Sequence, residues 1–170
     1  MEFQSCFDII GPIMVGPSSS HTAGVVSIGK FIYEWVGRCP KEAKIVFYDS
    51  FAETYQGHGT DKALIGGLLG LATDDTRIKQ SLEMAKEYGM QYYFEFEDQC
   101  DVYDHPNTTI VTVNSGGQLV KFGGVSLGGG LSKIFMIDDE VMDIRLSTDD
   151  DFAVLVKQYK QTSKILAEVI

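Results

Sequence analysis

Three histidines in this sequence lie in segments that could bring an imidazole to a substrate. His21 follows a run of serines, His58 lies between two glycines, and His105 precedes a proline. Histidine titrates closest to neutral pH, so an imidazole in an open loop can take or give a proton. A single loop histidine is usually a solvated or capping residue. Three histidines in such settings favour a shared site for proton transfer.

Hydroxyl side chains surround His21 at the predicted start of a helix. A helix N-terminus offers unpaired N–H groups and partial positive charge, which hold a carboxylate and keep a nearby imidazole neutral. One serine would suffice to cap the helix, which leaves the other hydroxyls unexplained. We therefore predict that these hydroxyls bind a substrate carboxylate or orient an imidazole; they belong to Ser18, Ser19, Ser20 and Thr22.

His58 lies in a second segment that runs from a predicted loop, residues 55–62, into a helix. Gly57 and Gly59 would let backbone or substrate approach the imidazole closely. Thr60 or Asp61 is the predicted N-cap of the helix, where a carboxylate also complements the helix dipole. The segment therefore has the features of a second substrate-facing loop.

Helices in the first part of the chain and strands in the later part must position these loops. The first helix begins within the serine run and ends at Gly37, and a turn over 114–117 joins two strands into a hairpin. This order predicts an α+β fold with N-terminal helices packed on a mostly antiparallel sheet. The predicted helices are 25–36, 63–71 and 74–88, and the predicted strands are 44–48, 91–96, 108–113, 119–122 and 133–137.

The residues from 143 onward differ from those before them. Strand-like segments over 143–146 and 152–156 flank an acidic turn at 149–151, and residues 162–170 have the spacing of a helix. We predict one domain over residues 1–142 and the start of a second over residues 143–170.

Charge and hydropathy exclude several classes of protein. The chain has 14 basic and 24 acidic residues, a formal net charge of −10, and no basic cluster with which to bind nucleic acid. It has no apolar run near the roughly 20 residues that span a bilayer, and no signal peptide at its start. We predict no membrane partner and a cytoplasmic location.

The remaining motifs exclude other chemistries. Cys6, Cys39 and Cys100 lack the spacing of a metal site, so this chain is predicted to hold no metal and no iron–sulfur cluster of its own. The sequence also lacks a P-loop, a dinucleotide-binding glycine motif and the nucleophile elbow of a hydrolase.

Five short segments resemble the serine dehydratase β chain family. GPSSSHT at 16–22, GHGTDKA at 57–63 and HPNT at 105–108 are similar to its three signature segments. FAET at 51–54 and SLGGG at 126–130 match in the same order. The resemblance covers about the first 140 residues, and all segments together are far more specific than any one of them.

The resemblance implies a fold and an activity. The fold would be that of the allosteric substrate-binding domain. The enzyme would be an L-serine ammonia-lyase of amino-acid metabolism and gluconeogenesis, which deaminates L-serine to pyruvate and ammonia with a [4Fe-4S] cluster. The α subunit would hold the cluster, whose iron acts as a Lewis acid, and this chain would be inactive without it.

From the settings of the three motifs, we assign roles to individual residues. His58 and His105 would handle protons, and His21 would position them. Residues 143–170 would be the start of a truncated ACT-like domain, and Asp49 departs from the pattern where glycine is expected. The predicted substrate-binding residues are Ser18, Ser19, Ser20, Thr22, Gly57, Thr60, Asp61 and Asn107.

A second function stays open from the sequence. The chain could be a regulatory module that binds serine or another anion without a catalytic role. Such a module would need the anion site at the helix terminus, but not all three histidines, so the enzyme subunit is favoured. We expect a hetero-oligomer with the α subunit; homodimerisation is left open.

Overall fold

The computed structural model of the protein describes residues 12–168. A π-helical turn over Ser19–Ala23 runs directly into the first α-helix, and a 3-10 turn over Thr76–Gln80 precedes the fourth. The α-helices are α1 (Gly24–Val36), α2 (Asp49–His58), α3 (Thr60–Leu68), α4 (Ser81–Glu87) and α5 (Phe152–Glu168). The strands are β1 (Glu42–Tyr48), β2 (Gln91–Glu97), β3 (Thr108–Ser115), β4 (Gln118–Gly128), β5 (Leu131–Ile137) and β6 (Glu140–Leu146).

The strands form one six-stranded sheet in the order β2-β1-β3-β4-β5-β6. β1 and β2 are parallel, because the chain between them passes through α2, α3 and α4 before it returns to the sheet. The other neighbours are antiparallel, and short turns join β3 to β4, β4 to β5 and β5 to β6. The α+β prediction, with helices on a mostly antiparallel sheet, is therefore confirmed.

The core lies between the helices and one face of the sheet. Alternate residues of β1, namely Ala43, Ile45 and Phe47, are fully buried, as the two-residue period of a half-covered strand requires. From the helical side, Ile28 and Phe31 of α1 are equally buried in the same cluster. The apolar spacing that predicted α1 therefore marks its core-facing side, and α1 ends at Gly37 as predicted.

The segment before Thr60 is helical, whereas residues 55–62 were predicted as a loop. The loop prediction is wrong for residues up to His58, which end α2, and only Gly59 with its φ of +66° separates α2 from α3. Phe51 is the only residue of α2 that is fully buried, so the helix lacks the apolar stripe that marks α1. The predicted helix over 74–88 is likewise a 3-10 turn followed by the shorter α4.

The strand predicted over 152–156 is also wrong, because these residues begin α5. The Asp151 carboxylate accepts hydrogen bonds from the N–H groups of Ala153 and Val154, at 3.1 and 3.2 Å, and so stabilises the helix start. Phe152 and Val156, four residues apart, enter the main core together. This burial overrides the local β propensity of the segment.

The strand predicted over 143–146 is confirmed as part of β6, the last strand of the sheet. Ile144 and Leu146 of β6 share the core cluster with residues of α1. The division into residues 1–142 and an ACT-like start over 143–170 stays a prediction; part of the second segment is built into the first sheet.

Candidate active site

The π-helical turn places His21 beside three hydroxyl groups. Ser18 has an extended backbone and caps the turn, since its Oγ accepts a hydrogen bond from the His21 N–H at 3.2 Å. Its carbonyl accepts another from the Thr22 N–H at 2.9 Å. The Ser19 carbonyl accepts from the N–H of Gly24, which closes the turn. One serine therefore serves as the cap, and the hydroxyls of Ser20 and Thr22 contact His21 Nδ1 and the His58 carbonyl.

The imidazole of His21 is hydrogen-bonded at both ring nitrogens. Nδ1 lies 3.0 Å from Ser20 Oγ and 3.3 Å from Ser18 Oγ, and Nε2 lies 3.1 Å from Ser50 Oγ. The residue is only 9% exposed. Burial lowers the pKa of His21 below its ordinary value, and the nearby His58 lowers it further. His21 is therefore a buried ring biased toward its neutral form.

His58 packs directly against His21. The ring centroids are 4.6 Å apart at an interplanar angle of 52°. The His58 carbonyl accepts a hydrogen bond from Thr22 Oγ1 at 3.2 Å, which ties the two motifs together through the backbone as well. His58 Nδ1 is buried and has no hydrogen-bond partner among the described residues. The structure thus brings two of the three predicted histidines together.

The start of α3 carries the other predicted residues of this motif. Thr60 is fully buried, and its Oγ1 has no hydrogen-bond partner in the described part of the chain. The Asp61 carboxylate accepts from the Lys62 N–H at 2.8 Å, and burial raises the pKa of Asp61. A Cβ on Gly57 would meet nothing within 4 Å, so this glycine faces open space.

His105 is held by its own loop. The Asn107 N–H donates to His105 Nδ1 at 3.1 Å, so Nδ1 is an acceptor and the proton of the neutral ring lies on Nε2. The Thr108 hydroxyl donates to the His105 carbonyl at 2.7 Å. Burial lowers the pKa of His105, although Asp104 and Asp49 act in the opposite direction. His105 is therefore a neutral imidazole that presents an N–H.

The first turn of α2 connects the His105 loop to the histidine pair. The Phe51 N–H donates to the Pro106 carbonyl at 3.4 Å, and the preceding Ser50 contacts His21. Asp49 has a φ of +46°, in the left-handed region that favours glycine, which accounts for the glycine expected at this position. Ser50 was missed by the sequence reasoning, since a lone serine at a weakly amphipathic helix carries no signal.

The two thiols that the structure describes, those of Cys39 and Cys100, do not fit the ligands of an iron–sulfur cluster. No group of three or more His, Cys, Asp or Glu side chains is placed to hold a metal within residues 12–168. Burial raises the pKa of the Cys39 thiol, whereas a ligand must be a thiolate. The Cys39 thiol lies 3.7 Å from Met90 Sδ, Cys100 is buried, and Cys6 lies outside the described residues.

The helices of the described residues are too short or too polar to cross a membrane.

Comparison with known proteins identifies the relatives of this chain. It is 44% identical over 160 residues to the probable L-serine dehydratase, beta chain, of Bacillus subtilis (strain 168), which covers 94% of this chain and 71% of the relative. It is 39% identical to the L-serine dehydratase, beta chain, of Peptoniphilus asaccharolyticus, over 97% of this chain and 72% of the relative. A short segment of 24 residues is 75% identical to the L-serine dehydratase, beta chain, of Anaerotignum propionicum, covering 14% of this chain and 83% of the relative.

The family model described as serine dehydratase beta chain matches residues 5–132, which include all three histidine motifs. The matched residues include the π-helical turn with His21, α2 with His58, and the loop with His105. The chain belongs to the serine dehydratase beta chain family.

Proposed function

We propose that this chain is the β subunit of an L-serine dehydratase, which deaminates L-serine to pyruvate and ammonia together with an α subunit that holds a [4Fe-4S] cluster. The observation that carries the proposal is the packing of His21 against His58, with ring centroids 4.6 Å apart, where two signature segments meet. The names of the relatives support it, since they describe β chains of L-serine dehydratase.

The substrate carboxylate is proposed to bind at the start of α3, beside the histidine pair. Buried polar groups are nearly always hydrogen-bonded, and each one left unpaired costs about 1–3 kcal/mol. His58 Nδ1 and Thr60 Oγ1 are both buried without a partner among the described residues. A carboxylate or ammonium group of the substrate would give these atoms partners, and the N-terminus of α3 favours an anion.

Proton transfer is proposed for His58 and His105. His105 carries its proton on Nε2, so it enters the reaction as a hydrogen-bond donor at that atom. His58 is partly exposed at the end of α2, so we assign it, rather than His105, as the base that accepts the α-proton of serine. His21, with both ring nitrogens engaged, positions His58 and does not touch the substrate.

The cluster would supply a Lewis acid for the serine hydroxyl when the α subunit holds it. The residues of this chain described above do not fit its ligands, so their part of the work is to bind the amino acid, orient it and move its proton. A cleft shared with a second subunit also agrees with the partly exposed His58.

The test is pyruvate release from L-serine by the anaerobically assembled α and β subunits and by each subunit alone. We expect turnover only in the assembled enzyme. His58→Ala and His105→Ala should each lower turnover about 10²–10⁴-fold, the usual range for an acid or base. Gln56→Ala, an exposed position on the same helix as His58, is the matched control and should keep full turnover.

Two outcomes would contradict the proposal. Normal turnover in both histidine variants would remove these residues from catalysis. An assembled complex that releases no pyruvate, with an isolated chain that binds L-serine in calorimetry, would identify a regulatory serine-binding module instead.

A further inference from the structure

The hydroxyl of Ser50 contacts the imidazole of His21 and has no place in the proposed chemistry. Ser50 lies in the first turn of α2, and its Oγ is 3.1 Å from His21 Nε2. The two residues are 29 positions apart in the chain, so only the packing of α2 beside the π-helical turn brings them together. The contact therefore joins two elements at the centre of the candidate site.

The His21 ring is confined on every side that the structure describes. Ser20 Oγ lies 3.0 Å from Nδ1, opposite the Ser50 contact. The Phe51 ring meets the imidazole edge-on, with centroids 5.2 Å apart, and the His58 ring lies against it at 4.6 Å. With 9% exposure, the imidazole is largely closed to bulk water in the intact chain.

The chemistry of the two hydroxyls suits a neutral imidazole. A neutral ring has one donor and one acceptor nitrogen, and a serine hydroxyl can serve as either partner. Removing the Ser50 hydroxyl would leave Nε2 buried and unpaired, so the ring would have to rotate or admit water. Because His58 packs on the same ring, a rotation of His21 would displace His58.

We propose that Ser50 is a positioning residue that fixes the orientation of the His21 imidazole and, through it, the ring of His58. The effect on turnover rests on the proposed function. The effect on the two rings does not, because it is a property of this chain alone.

The test compares Ser50→Ala with two control variants. Ser50→Thr keeps a hydroxyl on the same Cβ and should restore the contact. Thr54→Val removes a hydroxyl one turn further along α2, which donates only to the Ser50 carbonyl, at 2.6 Å, among the described contacts. Side-chain ¹⁵N resonances and titration midpoints of His21 and His58, recorded by NMR on the isolated chain, report the rings directly.

We expect Ser50→Ala to change the ¹⁵N shifts and the midpoint of His21 and to shift the His58 resonances, while both controls stay close to wild type. In the assembled enzyme, Ser50→Ala should lower kcat roughly tenfold or more, with a smaller change in KM, since misplacement of a reacting group acts mainly on the chemical step. The urea midpoint of the chain should fall modestly, because the variant leaves a buried nitrogen of His21 without its partner.

The possible outcomes separate this inference from the proposed function. Unchanged histidine resonances in Ser50→Ala would overturn the positioning role, whatever happens to turnover. Changed resonances with wild-type kcat would overturn its link to catalysis. A wild-type assembly that never deaminates L-serine would refute the proposed function, while the NMR result would still decide whether Ser50 holds the two rings.

Discussion

Two histidines of the candidate site are kept neutral in different ways. His21 is buried among hydroxyl groups, and the adjacent His58 disfavours a second positive charge. His105 is less enclosed, yet burial still lowers its pKa against the opposing effect of Asp104 and Asp49, and the Asn107 N–H donates to its Nδ1. Both surroundings lower the pKa, so both rings are neutral near pH 7 and available for proton transfer or for packing.

The stability of the chain should depend on pH through these rings. The pKa of His21 is lower in the folded chain than its ordinary value of 6.5, so the unfolded chain binds the proton first as the pH falls. The contribution of each histidine to the free energy of unfolding is complete above about pH 6.5 and is lost as the pH falls toward the pKa of the folded chain. The loss is at most about 1.4 kcal/mol per pH unit for each histidine. Urea unfolding between about pH 8 and pH 5 measures the effect.

His21→Gln and His105→Gln provide the comparison. In each variant the free energy of unfolding should change less with pH than in wild type over this range. In the double variant it should change least. An identical slope in wild type and the double variant would show that neither ring has a lowered pKa in the folded chain.

At the scale of elements, α1 and α3 cross with their backbones in contact. A Cβ on Gly67 would lie 2.4 Å from the Val26 carbonyl oxygen, and a Cβ on Gly29 would lie 2.6 Å from the Leu64 carbonyl oxygen. Neither helix backbone can move to make room for an added Cβ unless α1 and α3 move apart. This crossing sets the distance between the π-helical turn before α1 and the start of α3, which together carry the histidine pair.

Gly67→Ala should therefore lower the free energy of unfolding by about 1–3 kcal/mol or more, the range for an overpacked core. Gly57→Ala is the matched control, because its Cβ would meet nothing within 4 Å and the residue lies inside α2. Gly57→Ala should raise the free energy of unfolding by roughly 0.5–1 kcal/mol, because alanine is favoured over glycine inside a helix by about this amount. Denaturant unfolding measures both.

The Gly57 variant also tests the predicted substrate contact. If the substrate passes over Gly57, the alanine methyl group should raise KM in the assembled enzyme while the chain becomes more stable. An unchanged KM would remove Gly57 from the substrate-binding residues, and equal stability of the two alanine variants would contradict the tight crossing.

At the scale of the whole molecule, α5 is packed into the core formed by α1 and the sheet. Phe152 and Val156 are each 4% exposed within the main cluster, whereas Val154 is 52% exposed. Phe152→Ala should lower the free energy of unfolding by about 3–5 kcal/mol, and Val154→Ala should change it little. If Phe152→Ala unfolds in a single transition at the same urea concentration as wild type, α5 is not part of the cooperative unit.

The location of the cluster is also tested on the whole chain. We expect the isolated chain, treated anaerobically with iron and sulfide, to show no visible absorption of a cluster, because residues 12–168 place no three His, Cys, Asp or Glu side chains together as ligands. Replacement of all three cysteines by alanine should leave the colour and turnover of the assembled enzyme intact. Loss of colour in that variant would assign a cluster ligand to this chain.

The C-terminal part shows how far local patterns reach. Residues 152–156 are rich in β-branched and aromatic side chains, which favour a strand locally, yet they begin α5. The last turn of α2, within the segment 55–62 that is predicted as a loop, is rich in glycine and polar residues, and Phe51 is the one fully buried residue of the helix. In both places the outcome depends on a core that other parts of the chain supply.

The sequence by itself determined the α+β order, the hairpin of β3 and β4, a helix start within the serine run, the end of α1 at Gly37 and the family, because each rests on local chemistry or on ordered motifs. Only the tertiary structure decided that His21 packs on His58 and that Ser50 completes the hydrogen bonds of His21. Such contacts join residues far apart in the chain. They depend on how closely α1 and α3 cross and where α2 is packed, which no local pattern contains.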